Sequence, residues 1–305
     1  MPPALETQGL TKKFGRHIAV SKLSVRMEPG EIFGFLGPNG AGKTTTIRML
    51  TGLVRPTSGV ARIHGREIGR DSPGTLEGVG ALIESPALYP FLDGADNLSV
   101  LSRRFGKAAR RSIHDILERV GLADVAAKKV KAYSQGMRQR LGLALALLLG
   151  DRVLILDEPA SGLDPHGRDE LRQILRERSR DDGVAVFLSS HLLGEVEAIC
   201  DRIGLLQAGR MVAEGKVSEL LRPHTWRVRI PGDRVREGHR IALNTPWCRS
   251  SAVIDGCLEV ELARDRASDL LRILVKEGLP VEEFAPVRPS LEDFFREHSS
   301  GGSRE

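Results

Sequence analysis

The sequence predicts an α/β fold with a mostly parallel sheet, and three observations point to it. Short apolar runs of strand length alternate with helix-length stretches through the first two thirds of the chain. One such run, residues 31–36, leads into Gly37-Pro38-Asn39-Gly40-Ala41-Gly42-Lys43-Thr44, and a helix pattern follows at Thr45-Thr46-Ile47-Arg48-Met49-Leu50. Near Arg222-Pro223-His224-Thr225 the pattern breaks; strands and a helix beyond it predict a small α+β domain over 222–305.

The octapeptide satisfies G-x-x-x-x-G-K-[ST], the Walker A loop, between a strand and a helix as that loop requires. Its glycines let successive N–H groups point at phosphate, and the helix N-terminus adds about half a positive charge. Lys43 is then expected on the terminal phosphates and the Thr44 hydroxyl on Mg2+. With glycine near 7% of residues, four fixed positions would match by chance on the order of once in a hundred such chains.

Upstream, residues 5–10 and 18–27 read as strands joined by the turn Lys12-Lys13-Phe14-Gly15-Arg16. Phe14 is then a loop aromatic, and two roles stay open for it: stacking on a purine or capping a small core. Downstream, the first helix ends at Gly52, and Pro56-Thr57-Ser58-Gly59 turns the chain into residues 60–64. The apolar run 79–83 delivers Glu84 to its carboxyl end, the side on which open parallel sheets bind ligands.

From 93 to about 121 the periodicity is helical, through Leu98, Leu101, Phe105, Ile113, Ile116, Leu117 and Val120. Ser134 heads a further helix to about Leu149 as an N-cap, so residues 93–150 form a helical insert. The run 153–156 is a strand closed by Asp157 and Glu158, a Walker B pattern that presents Asp157 to Mg2+ and Glu158 to an attacking water. After Ser161-Gly162-Leu163-Asp164-Pro165 a charged helix runs to about 178, strand 184–188 ends at Ser189-Ser190-His191, and 203–213 reads as a hairpin around Gly209. In the second domain the segments 226–230, 253–263 and 281–287 read as strands and 267–275 as a helix, with no chemical motif, and the tail 299–305 is expected to be disordered.

Composition limits the function classes. The 305 residues are 41% hydrophobic and 28% charged, ordinary for a soluble globular protein. No apolar run reaches the ~18 residues of a membrane span, and no secretory leader opens the chain. Cys200, Cys248 and Cys257 lack C-x-x-C spacing, which points away from zinc and disulfides and toward a reducing cytoplasm. The net charge of +5 falls in the first 221 residues, because the rest carries 14 basic and 14 acidic side chains. That excess suits a polyanionic nucleotide or an anionic membrane surface, and equally a solvated basic face. Only 4% aromatics, with no stacking platform, argues against single-stranded nucleic acid.

Taken together, residues 5–221 resemble the ATP-binding-cassette ATPases. Phe14 stands where that family has its adenine-stacking aromatic, Gly37 to Thr45 is Walker A, and Glu84 occupies the Q-loop glutamine position. Tyr133-Ser134-Gln135-Gly136-Met137 is similar to the family signature, Val153 to Glu158 is Walker B, Ser161 to Asp164 is the D-loop, and His191 is the switch histidine. The departures are Phe14 for tyrosine, Glu84 for glutamine, Gln135 for glycine and Met137 for glutamine.

The resemblance implies a P-loop ATPase core with an antiparallel β subdomain and a helical subdomain. It implies ATP and Mg2+ as cofactors, with Val20 added to the nucleotide contacts and Thr44, Glu84 and Asp157 at the metal. Glu158 and His191 are then the catalytic residues. A head-to-tail homodimer follows, in which Ser134 and Gly136 of one copy contact the γ-phosphate held by the other, with Gln135 and Asp164 also among the nucleotide-binding residues. The run Leu82 to Pro90, the Tyr-Ser-x-Gly-Met signature and the terminal Pro289 to Phe295 resemble the detached cassettes of drug- and peptide-antibiotic-type exporters. That subgroup implies a separate membrane permease, export powered by ATP hydrolysis, and a place on the inner face of the cell membrane. The other class in view is a soluble cassette acting on ribosomes or DNA, marked by tandem cassettes or a long coiled coil; neither is present.

Overall fold

The computed structural model describes residues 2–69, 74–103, 113–263 and 266–300, with side chains as far as 296. It divides into two compact units that meet at Val217 and Ser218, a boundary four residues before the one expected.

The first unit opens with two long strands, β1 (Leu5–Phe14) and β2 (His17–Met27). With β4 (Ser58–Ile63) and β5 (Arg66–Glu67) they form an antiparallel sheet in the order β2-β1-β4-β5. Lys12, Lys13 and Phe14, expected in a turn, belong to β1; the turn is Gly15-Arg16 alone, and Phe14 pairs with His17 across it. A two-residue hairpin needs no more chain than that.

The central sheet has six strands in the order β10-β9-β3-β8-β7-β6. Its members are β3 (Ile32–Leu36), β6 (Val79–Leu82), β7 (Val153–Asp157), β8 (Ala185–Ser190), β9 (Arg202–Gln207) and β10 (Arg210–Lys216). All adjacent pairs are parallel except the β9–β10 hairpin at the edge. β3, β7 and β8 are buried along their whole length, which is why they read as continuous apolar runs rather than alternating ones. Phe187 fixes the sheet against Phe33 and Phe35, with ring centroids 5.8 and 5.2 Å away.

The helices of this unit are α1 (Lys43–Leu50), α2 (Gly94–Leu101), α3 (Ile113–Arg119), α4 (Gln135–Leu149), α5 (Pro165–Arg180) and α6 (Leu193–Ile199). Asp93, Ser134 and Asp164 cap α2, α4 and α5 by accepting from the N–H three residues on. Phe105, part of the expected helical pattern, lies outside the described residues.

The second unit, Ser218–Glu297, runs β11 (Thr225–Arg229), α7 (Val235–Leu243), β12 (Cys248–Ile254), β13 (Cys257–Leu262), α8 (Ala267–Lys276), β14 (Glu283–Val287) and α9 (Leu291–Ser300) as far as Glu297. The strand order β12-β13-β11-β14, antiparallel throughout, is the split β-α-β arrangement of ferredoxin-like domains. The segment 253–263, read as one strand, is a hairpin because Asp255 and Gly256 both take positive φ. Val228, Leu258, Val260, Leu270 and Leu274 form its core. Residues 299 and 300, expected in a disordered tail, belong to α9, and residues 301–305 lie outside the described residues.

Among the described residues no helix is long and apolar enough to cross a membrane.

Candidate active site

The parallel strands deliver their C-terminal residues to one edge of the central sheet. β3 ends into the glycine loop, β6 is followed by Glu84, β7 ends at Asp157 and Glu158, and β8 ends at Ser190 before His191. This is where an open parallel sheet gathers chemistry.

The loop's shape is imposed by close approach. Gly42 has φ 109°, and a Cβ there would lie 2.4 Å from the Ala19 carbonyl oxygen. Only glycine fits. Lys43 follows, its side chain buried against the loop, and its Nζ donates to the Gly37 carbonyl at 2.7 Å. The ammonium is thereby held over the loop it would serve.

One helical residue later, Thr44 Oγ1 donates to Asp157 Oδ2 at 2.8 Å, and Ser189 Oγ donates to Asp157 Oδ1 at 2.5 Å. Asp157 is 3% exposed, and among the described residues no Lys, Arg or His pairs with it; its two oxygens are held by hydroxyls alone. A buried carboxylate with hydroxyls and no cationic side chain on its oxygens suits a bound cation, which would compensate its charge. One carboxylate and one hydroxyl suit Mg2+, which takes few protein ligands and completes its shell with phosphate oxygens and water. No cage of three or more His, Cys, Asp or Glu residues occurs among the described residues, and Mg2+ bound on phosphates needs none.

Glu158 stands in left-handed backbone, φ 49°, pinned by its N–H to Ser189 O at 3.2 Å and Ser189 Oγ at 3.0 Å. Its carboxylate bridges two groups: Oε2 lies 2.6 Å from His191 Nδ1, and Oε1 lies 3.8 Å from Lys43 Nζ. The bond to His191 places a proton on Nδ1. Beside Glu158 opens a cleft of about 420 Å3, walled by Phe14, His17, Ala19 and the loop residues Pro38, Asn39, Gly40 and Gly42, with Lys43, Thr44 and Thr45 below. Phe14 is half exposed, and Lys12 Nζ lies 5.0 Å from its ring centroid.

Three of the expected site residues are engaged elsewhere. Val20 does not face the cleft: it is fully buried in the hydrophobic core, and its strand neighbours His17 and Ala19 line the cleft instead. Side chains alternate along β2, so position 20 takes the other face. Glu84, expected at the metal, has its Oε1 bound by Arg48 Nη2 at 2.6 Å. Ala41 also belongs to the core, while its carbonyl accepts from Gly209 N–H at 2.9 Å.

Ser134, Gln135, Gly136 and Asp164 do not line the cleft. Ser134 and Gln135 are exposed at the start of α4, and a Cβ on Gly136 would lie 2.9 Å from Gly162 O, so the signature packs on the Ser161–Asp164 turn. Arg140 of α4 adds a 2.6 Å ion pair to Glu170 of α5. Gln139 Nε2 reaches the carbonyls of Glu158 and Pro159, both at 3.4 Å.

Sequence reasoning missed His17, Ser189, Gln139 and Arg48. The first two had signals: His17 faces Phe14 across a two-residue turn, and Ser189 is a hydroxyl at the end of an apolar strand.

A glycine cradle at a helix N-terminus, a lysine over it, and an acid pair on the adjacent edge define a P-loop nucleotide hydrolase. The comparisons narrow this. Residues 20–161 match the family model described as ABC transporter. The ABC transporter ATP-binding protein YhcH of Bacillus subtilis strain 168 is 38% identical over 97% of this chain and 96% of its own. The bacitracin transport ATP-binding protein BcrA of Bacillus licheniformis is 34% identical over 99% of each. Among solved structures, the ATP-binding subunit of an ABC transporter superposes with a TM-score of 0.66 at 28% identity, covering 72% of this chain and 92% of that one. The chain belongs to the ABC transporter family, and the relatives it matches along nearly its whole length are ATP-binding proteins of such transporters.

Proposed function

We propose that two copies of this chain close head to tail on ATP and Mg2+ and drive a membrane permease that exports a drug or peptide antibiotic. The observation that carries the reading is the Thr44–Asp157 contact of 2.8 Å, one residue from Lys43 and one from Glu158. It sets the metal-side groups beside the phosphate-side lysine.

In this reading the loop N–H groups and Lys43 bind the β and γ phosphates, and Thr44 and Asp157 would hold Mg2+, which would supply neutralising charge there. Glu158 orients water and accepts its proton as the water oxygen bonds to the γ-phosphorus and the bond to the oxygen of the departing ADP breaks, and His191 steadies both the glutamate and the γ-phosphate. Phe14 stacks on adenine, with Lys12 on the ring adding polarisation. Ser134, Gln135, Gly136 and Asp164 act on the partner's nucleotide, which agrees with their lying outside this cleft. The bacitracin relative supports the substrate class, and a separate permease that keeps the cassette at the cytoplasmic face agrees with there being no membrane-length apolar helix among the described residues. Nothing observed favours action on ribosomes or DNA.

The test is Glu158→Gln. ATP should then be bound but not turned over, with hydrolysis lower by at least ~10²-fold and a stable ATP-dependent dimer in light scattering. A variant that hydrolyses at the parent rate, or stays monomeric with ATP and Mg2+, contradicts the reading. Co-purification with ribosomes rather than a membrane protein would favour the other class.

A further inference from the structure

We propose that Arg48 is a positioning residue whose guanidinium competes with the bound metal for the Glu84 carboxylate. The inference rests on the reading that Thr44 and Asp157 hold Mg2+ beside the phosphates.

Three observations bring the competitors together. Arg48 follows Thr44 by four residues on α1, so one helix face presents both the metal-side hydroxyl and the guanidinium. Glu84 follows Leu82 by two residues, and Leu82 is in parallel register with Leu156, the residue before Asp157. The Glu84 carboxylate therefore leaves the sheet edge next to the strand that carries the metal-side acid. Arg48 Nη2 holds Glu84 Oε1 at 2.6 Å.

The strength of that contact decides whether exchange is feasible. The two side chains are 41% and 56% exposed, so the pair is a solvated one, worth a factor of about two to five in an equilibrium. A hard divalent cation among phosphate oxygens can outbid it, since a carboxylate is a strong oxygen donor and a guanidinium offers no donor to the metal. Glu84 has φ 52°, and its backbone is already turned as it leaves β6. The carboxylate can thus change partners by side-chain rotation, with Arg48 setting how much metal is required.

The experiment uses the full chain with a fluorescent, non-hydrolysable ATP analogue, titrating Mg2+ and reading nucleotide binding. Electron paramagnetic resonance of Mn2+ counts the bound cation independently of turnover. Arg48→Ala should lower the Mg2+ concentration for half-maximal binding by about two- to five-fold. Arg48→Lys, which keeps a cation beside Glu84, should stay close to the parent. Glu84→Gln should raise the midpoint, and Arg48→Ala added to it should change nothing further. An Arg48→Ala midpoint equal to the parent's, or a shift that persists in the double variant, overturns the proposal while Mg2+ dependence stands. Nucleotide binding indifferent to Mg2+, with no Mn2+ bound, would overturn the underlying metal reading as well.

Discussion

The two units alternate strands and helices in similar proportion, yet one concentrates polar chemistry and the other disperses it. In the first, five strands run parallel, so their C-terminal residues converge on one edge and polar groups are drawn inward: Lys43, Asp157, Ser189 and Ser190 are all buried there. In the second, strand directions alternate and loop ends fall on both edges. Among the described residues it buries one polar side chain, Thr245, whose hydroxyl is spent on the Ala242 carbonyl at 2.8 Å. Its charges cancel in pairs on the sheet surface, Arg227 with Glu259 at 2.6 Å and Arg229 with Glu283 at 3.5 Å. Strand direction, more than element content, decides whether a unit of this size can gather a site.

The contrast can be tested by substitution, beginning where the effect should be largest. Lys43→Ala should remove about 3–5 kcal/mol of nucleotide affinity, the scale for deleting one partner of a buried charge pair. Near-normal binding of labelled ATP would remove the first unit's claim to the site. His191→Ala should slow turnover of the assembled transporter by about 10²–10³-fold if the imidazole serves the transition state. Unchanged turnover would leave it as a structural partner of Glu158.

In the second unit, Leu270→Ala empties a fully buried position and should cost about 2–5 kcal/mol in that unit's unfolding by urea, with ATP affinity unchanged. A matching loss of affinity would mean the units are not energetically separate. Smallest of all, Arg227→Ala breaks an exposed pair and should move stability by about 0.2–1 kcal/mol and hydrolysis not at all. A large effect on activity would assign the sheet surface a task its paired charges do not suggest.

The same contrast explains what could be read from the residues. Walker A was legible because strand, loop and helix are consecutive, and the Ser134 cap because its partner, Met137 N–H, is three residues away. The chain from Val153 to Glu158 was legible because a fully buried parallel strand has no alternation to disguise it. Val20 was misplaced because a family position carries no information about which face of β2 it takes. Arg48 and Ser189 escaped because their partners lie 36 and 32 residues away, across the sheet edge. The order β12-β13-β11-β14 was hidden likewise, since pairing between non-consecutive strands leaves no local mark.

One detail of geometry bears on how this protein would respond to selection. Glu84 and Glu158 both sit at φ near +50°, a conformation that costs a residue with a Cβ roughly 1–2 kcal/mol and glycine almost nothing. After glycine's larger loss of chain entropy, about 0.5–1 kcal/mol, the gain survives only where the carboxylate's contacts are weak, as in the solvated pair of Glu84 with Arg48, and not at Glu158, which faces His191 and the buried Lys43. A screen for heat-resistant variants that scored folding alone would therefore drift toward glycine at 84 and keep glutamate at 158, separating two acids that share one backbone strain.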